Sequence, residues 1–129
     1  MTSDSDLRGA IRAGWTAATS ATPDEWSAEN PAKGQCDVSS YVYWEHRGGE
    51  LVVSEVLVDG VRTEHHYTNR IDGVDIDITE SQFDGSEEIR ELAVLDAATI
   101  RERSPTMRAE LADRIAMLRS AVAETLGDQ

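Results

Sequence analysis

The sequence contains little cysteine, lysine and other positive charge, and each scarcity excludes a class of protein. Its one cysteine, Cys36, cannot form an internal disulfide, and a lone free thiol fits a reducing compartment. Lys and Arg number 12 against 25 Asp and Glu, which gives a net charge of −13. Because nucleic acids and anionic membrane surfaces both attract Lys and Arg, this balance argues against either as a partner. No apolar run approaches the length of a transmembrane helix.

Length and composition predict one domain over residues 1–129. A chain of 129 residues with 40% hydrophobic residues can bury a core without disulfides or metal ions. The acidic, polar N-terminus has no basic segment and no apolar segment of the signal-peptide kind. We therefore expect a cytoplasmic protein, with residues 1–5 disordered.

Apolar residues at helical spacing predict two helices in the N-terminal half of the chain. Leu7, Ile11 and Trp15 indicate a helix over residues 6–18. A second helix is predicted over residues 36–46, where Val38 and Val42 lie on one face, and Gly48-Gly49 would end it.

A long C-terminal helix is predicted to begin at Ser104-Pro105, because serine caps helices and proline favours their first position. Its apolar stripe runs from Met107 to Leu126. Such a stripe either covers the core or, in the other interpretation, forms the seam of a homodimer through residues 105–126.

Between the helices the hydrophobic period changes to two, which predicts a β-meander. Strands are expected over residues 50–58, 61–71 and 74–79, joined by the turn signals Asp59-Gly60 and Asp72-Gly73. Residues 88–95 fit either a further strand or a short helix.

The second turn fixes which histidine meets a carboxylate. A two-residue turn at Asp72-Gly73 makes Arg70 face Asp75, and opposed residues share a face of the sheet. His66 and Asp77 then become diagonal neighbours, whereas His65 points to the other face. A register slip of one residue would reverse this choice.

Cys36 opens the second predicted helix, where backbone N–H groups and the helix dipole stabilise a thiolate. With His66 as base, Asp77 as its orienting group and Gln35 as oxyanion donor, the residues fit a site for acyl transfer. Each also has a structural interpretation. Cys36 would be a buried inert residue, His66 a surface strand residue, Asp77 an arginine partner and Gln35 a helix cap.

A metal site from Cys36, His65, His66 and Asp77 is an alternative, but adjacent histidines on a strand point in opposite directions. No zinc-ligand spacing and no phosphate-binding glycine motif occurs in the sequence. We therefore predict neither a metal nor another cofactor.

The combined pattern resembles the YunG-like family of small prokaryotic proteins. It consists of GQC at 34–36, GGE at 48–50, HYTNR at 66–70, DG at 72–73, DIT at 77–79 and QF at 82–83. The resemblance extends from about Trp15 to Arg114 and implies that the family's Cys, His and Asp correspond to Cys36, His66 and Asp77. That order is similar to papain-like and transglutaminase-like folds.

We therefore expect an α+β, papain-like fold. The helix that carries Cys36 would pack on a three- to five-stranded antiparallel sheet, flanked by N- and C-terminal helices. The expected function is a cysteine-dependent amide hydrolase or acyl transferase that acts on a peptide or small amide. The alternative is a non-catalytic binding module that retains a papain-like shell. Asp37 stands where a small or apolar residue is expected, and its charge would raise the pKa of the thiol.

Overall fold

A computed structural model describes residues 2–127, and within them the chain forms four α-helices and a four-stranded antiparallel sheet. The α+β class and a sheet of three to five strands are confirmed. Four short 3-10 turns complete the fold. The helices are α1 (Asp4–Ala13), α2 (Cys36–Arg47), α3 (Ala97–Arg103) and α4 (Ala109–Leu126), and the strands are β1 (Glu50–Val58), β2 (Val61–Ile71), β3 (Val74–Ile76) and β4 (Glu88–Leu95).

Both predicted hairpin turns are present. The φ angles are 53° and 78° at Asp59-Gly60, and 51° and 78° at Asp72-Gly73. Two consecutive positive φ angles match the turn type whose twist suits an antiparallel hairpin. Arg70 pairs with Asp75 as predicted.

Strand β3 is shorter than the predicted strand over residues 74–79. It ends at Ile76, because the side chain of the next residue, Asp77, hydrogen-bonds to the backbone just after it. Oδ1 of Asp77 accepts a hydrogen bond from the backbone N–H of Thr79 at 3.2 Å, and a 3-10 turn follows at Glu80–Gln82. Such local bonds from aspartate compete with a strand ladder.

The ambiguous segment 88–95 forms strand β4, and it pairs with β1. The sheet order is β3-β2-β1-β4. Strand β1 is therefore interior, and Val52 and Val56 in it are buried. Strand β4 is an edge of the sheet, with its residues largely exposed.

The predicted helix over residues 6–18 is wrong at both ends. Ser3 accepts a hydrogen bond from the backbone N–H of Asp6 and caps α1. Residues 4 and 5, which were expected to be disordered, are therefore helical. Met1 lies outside the described residues. Helix α1 ends at Gly14, where a Cβ atom would lie 2.8 Å from Leu118 Cδ1. A larger residue at this position would require the Leu118 side chain or α4 to shift.

The prediction that Ser104-Pro105 begins the C-terminal helix is also wrong. Helix α3 precedes it, and Ser104 lies at its end, where the hydroxyl donates to the carbonyl of Ile100 at 2.9 Å. A 3-10 turn at Ser104–Thr106 separates α3 from α4. Met107, the first residue of the apolar stripe, therefore lies outside α4, and the stripe from Leu111 onward belongs to it.

Helices α1, α2 and α4 enclose the main core against one side of the sheet. Ile115, Leu118 and Val122 on α4 are buried there, as expected if the stripe covers the core. In residues 2–127 no helix combines the length and hydropathy needed to cross a membrane.

Candidate functional site

Cys36 is the first residue of α2, as predicted, but its side chain is only 8% exposed. Burial raises the pKa of the thiol to about 12, and the charges of Asp37, Glu64 and Asp77 add to this effect. A backbone hydrogen bond from Tyr67 opposes it. Burial and nearby carboxylates therefore outweigh the helix N-terminus, and the thiol is protonated at neutral pH.

His66 and Asp77 form the predicted pair. The distance from His66 Nε2 to Asp77 Oδ2 is 2.8 Å. The imidazole is fully buried, and its ring meets that of Phe83 edge-on, with centroids 4.8 Å apart. Within the described residues, the other ring nitrogen, Nδ1, has no hydrogen-bond partner. An unpartnered buried nitrogen is uncommon and marks this ring as unusual.

The Asp77 carboxylate is held in place by the turn that follows it. Its Oδ1 accepts hydrogen bonds from the backbone N–H and the hydroxyl of Thr79. The side-chain amide of Gln82 donates to the same hydroxyl at 3.0 Å. The buried imidazole is thus anchored through a chain of hydrogen bonds that begins at Gln82.

Cys36 and His66 do not form a hydrogen-bonded pair, since no hydrogen bond joins the sulfur to either ring nitrogen in the described part of the chain. The alternation of side chains along β2 gives the orientation of the imidazole relative to α2. Asn69 donates to the carbonyl of Ser40 in α2 at 2.9 Å, so its face of β2 is the one that α2 covers. His66 is three residues away on the same strand and points to the opposite face.

Gln35 is fully buried, but its amide group is bound to the chain before α2. Its Oε1 accepts from the Thr19 hydroxyl at 2.8 Å, and its Nε2 donates to the carbonyl of Thr16 at 2.9 Å. These bonds fix the 3-10 turn at Ala17–Thr19 beside the start of α2. The side chain therefore has a structural role in this conformation.

Sequence reasoning missed the partner of Asp37. Arg114 on α4 grips both oxygens of this carboxylate at 3.0 and 2.8 Å, and also donates to the carbonyl of Thr19 at 3.2 Å. The arginine is buried. Hydrogen bonds to Asp37 and Glu110 raise its pKa against the effect of burial. No short-range spacing signals a pair 77 residues apart.

Sequence reasoning also missed a cavity of about 640 Å³ beside the start of α2. Helices α2, α3 and α4 and strands β1, β2 and β4 contribute its walls. Its lining includes Asp37 and Tyr67 but neither Cys36 nor His66. Only a known tertiary arrangement reveals it, because its walls come from three helices, three strands and the 3-10 turn between α3 and α4.

The structure does not assemble a metal site from the residues considered above. His65 is exposed, whereas His66 is buried. Across residues 2–127 there is no group of three or more His, Cys, Asp or Glu side chains arranged to hold an ion.

The family model described as YunG protein matches residues 3–127. The chain belongs to the YunG family. The predicted resemblance is confirmed, and the match spans every helix and strand described above, including Cys36, His66 and Asp77. Neither the curated proteins nor the solved structures gave a match.

Proposed function

We propose that this YunG-family protein is a non-catalytic module that binds a small molecule in the cavity between α2, α3 and α4. The observation that carries this proposal is the cavity itself, whose volume of about 640 Å³ falls in the range of small-molecule sites. Six apolar side chains line it together with eight residues that carry polar or charged groups, and small-molecule sites likewise combine apolar walls with polar groups.

The state of Cys36 supports binding over catalysis. A thiol with a pKa of about 12 supplies almost no thiolate at neutral pH, and the thiolate is the nucleophile. In a binding module, the papain-like likeness would concern only the arrangement of the helix and strands and not the chemistry. Support for it comes from a cysteine that opens α2, with His66 and Asp77 on or beside neighbouring antiparallel strands.

Two methionines offer a matched test of the cavity. Met107 lines it, whereas Met117 on α4 is 45% exposed. Octanol binding would be measured by saturation-transfer NMR in the wild type, Met107→Trp and Met117→Trp. We expect the bulky side chain to abolish binding only at position 107. Equal binding by all three proteins would contradict the proposal.

The second candidate is thiol chemistry, and the unpartnered Nδ1 of His66 favours it. With Nε2 fixed on Asp77, Nδ1 is the atom that would accept the proton of Cys36 after a movement brings them together. The products would be those of an amide hydrolase or acyl transferase. Because Gln35 is engaged elsewhere, the backbone N–H of Cys36 would be the oxyanion donor.

The two candidates predict opposite results in one experiment. The rate of alkylation by iodoacetamide would be measured against pH for the wild type and for His66→Ala. Thiol chemistry requires an inflection well below pH 8 that His66→Ala removes. A rate that rises only above pH 9 in both proteins supports the binding module. Catalysis is the better candidate if the first result is obtained.

A further inference from the structure

The cavity has an apolar body and a cationic rim. Arg103 ends α3 and Arg108 precedes α4, so the two arginines flank the 3-10 turn at Ser104–Thr106 and both line the cavity. The apolar part of its lining comes from Leu51, Leu95, Ile100, Met107, Leu111 and Ile115.

These two arginines differ from most other cations of the protein. Arg70, Arg90, Arg114 and Arg119 each bind a carboxylate. In the described residues neither the Arg103 nor the Arg108 side chain forms an ion pair or hydrogen bond. The sequence has 25 carboxylate residues for 12 basic ones, so partners are plentiful. Two unpaired guanidinium groups at one rim favour an anion.

The carboxylate that lines the cavity does not cancel this charge. Asp37 is bound by Arg114 through both oxygens, which leaves the two rim arginines in excess. Tyr41 and Ser104 also line the cavity, and their hydroxyl groups bind each other at 2.6 Å. These polar groups are therefore already partnered.

One further donor remains beside the rim. In the part of the chain described, the hydroxyl of Tyr67 makes no hydrogen bond to another side chain. Burial is the main cause that raises the pKa of Tyr67, and the charge of Arg108 opposes the rise. The hydroxyl is thus protonated at neutral pH and lies near Arg108, where it can donate to the same anion as that arginine.

We propose that the ligand is an amphipathic carboxylate, with its apolar body in the cavity and its carboxylate bound by Arg103 and Arg108. This inference rests on the proposed binding function and names the ligand's chemical class. Guanidinium groups suit carboxylates because they offer two parallel N–H donors. The apolar lining accounts for the body of the ligand.

The test compares three probes that share one chain: octanoate, octanol and octylammonium. Their dissociation constants would be measured by saturation-transfer NMR at pH 7.5 and low salt. We expect octanoate to bind most tightly and octylammonium most weakly. Each of Arg103→Gln and Arg108→Gln should weaken octanoate binding about fivefold while octanol binding stays unchanged.

A third arginine serves as the matched control. Arg62 on β2 is exposed, does not line the cavity, and has no ion pair in residues 2–127. Arg62→Gln removes the same charge and should leave octanoate binding unchanged. If it weakens binding as much as the rim substitutions do, the effect is one of net charge and the proposal is wrong.

The outcomes separate this inference from the proposed function. Should octanol and octanoate bind equally in the wild type, and Met107→Trp still abolish both, the carboxylate assignment is overturned but the binding module stands. Should no probe bind in a way that Met107→Trp prevents, both proposals are overturned. Because both rim arginines are exposed, their substitution leaves the core intact.

Discussion

His66 Nε2 lies 2.8 Å from Asp77 Oδ2, although β3 ends one residue before this aspartate. The pair therefore does not depend on a continued strand ladder. The hairpin register brings the two residues close, and the hydrogen bond from the backbone N–H of Thr79 orients the Asp77 carboxylate. A buried imidazole needs such a partner, because a polar atom without one is costly inside a protein.

Removing this carboxylate should destabilise the fold. Asp77→Ala leaves Nε2 of a fully buried histidine without a partner, and we expect a loss of about 1–3 kcal/mol in the free energy of unfolding. Urea denaturation measures it. Asp75→Ala is the control on the same hairpin, because that carboxylate is 60% exposed and paired with Arg70; its loss should be much smaller. Equal losses would contradict the assigned role of Asp77.

Iodoacetamide should label Cys36 slowly. A pKa of about 12 against the ordinary 9.0 means about a thousandfold less thiolate at pH 8 than for an unperturbed cysteine. The labelled fraction over time would be followed by mass spectrometry, with the urea-unfolded protein as reference. Labelling as fast in the folded as in the unfolded protein would show that the thiol is not protected.

The same pKa difference makes stability depend on pH. Because the folded-state pKa of Cys36 is raised from 9.0 to about 12, the unfolded chain releases this proton first as pH rises. The stabilisation is complete below pH 9 and is lost above it, by at most about 1.4 kcal/mol per pH unit. Unfolding free energies at pH 8, 9 and 10 should fall more steeply in the wild type than in Cys36→Ser. Parallel curves would be inconsistent with a buried, protonated thiol.

The Asp37–Arg114 pair should be the costliest ion pair to break. Arg114→Ala leaves a largely buried carboxylate without its partner, and we expect a loss of about 3–5 kcal/mol. The double variant Asp37→Leu, Arg114→Met should recover part of this loss, because it removes both charges. Arg119→Ala is the control on the same helix as Arg114; it breaks a more exposed pair with Glu45 of α2 and should have a much smaller effect. A similar loss from both arginines would argue against this ranking.

Substitution of Gln35 should lower the stability of the fold, because its side chain has a structural role. Gln35→Ala removes two hydrogen bonds at a fully buried site, so we expect a loss of about 1–3 kcal/mol. Thermal unfolding measures it. Ser27→Ala, in the partly buried loop before α2, provides a comparison that should cost less. An unchanged melting temperature for Gln35→Ala would contradict the structural role.

Sequence patterns predicted those elements whose signals are local. The two Asp-Gly turns set the hairpin register, and the register in turn selected His66 rather than His65 as the partner of Asp77. The start of α2 at Cys36 also followed from neighbouring residues. Segments whose form depends on distant contacts were predicted less well. Gly14, at the end of α1, lies against Leu118 of α4, and Ser104, at the end of α3, hydrogen-bonds to Tyr41 of α2.

The sequence by itself determined the α+β class, the β-meander and the His66–Asp77 pair, because period, turn residues and strand alternation are properties of neighbouring residues. Only the tertiary structure decided the state of Cys36, the partner of Asp37 and the existence of the cavity. Each of these depends on desolvation or on contacts between residues far apart in the chain, and one sequence carries no direct signal for either.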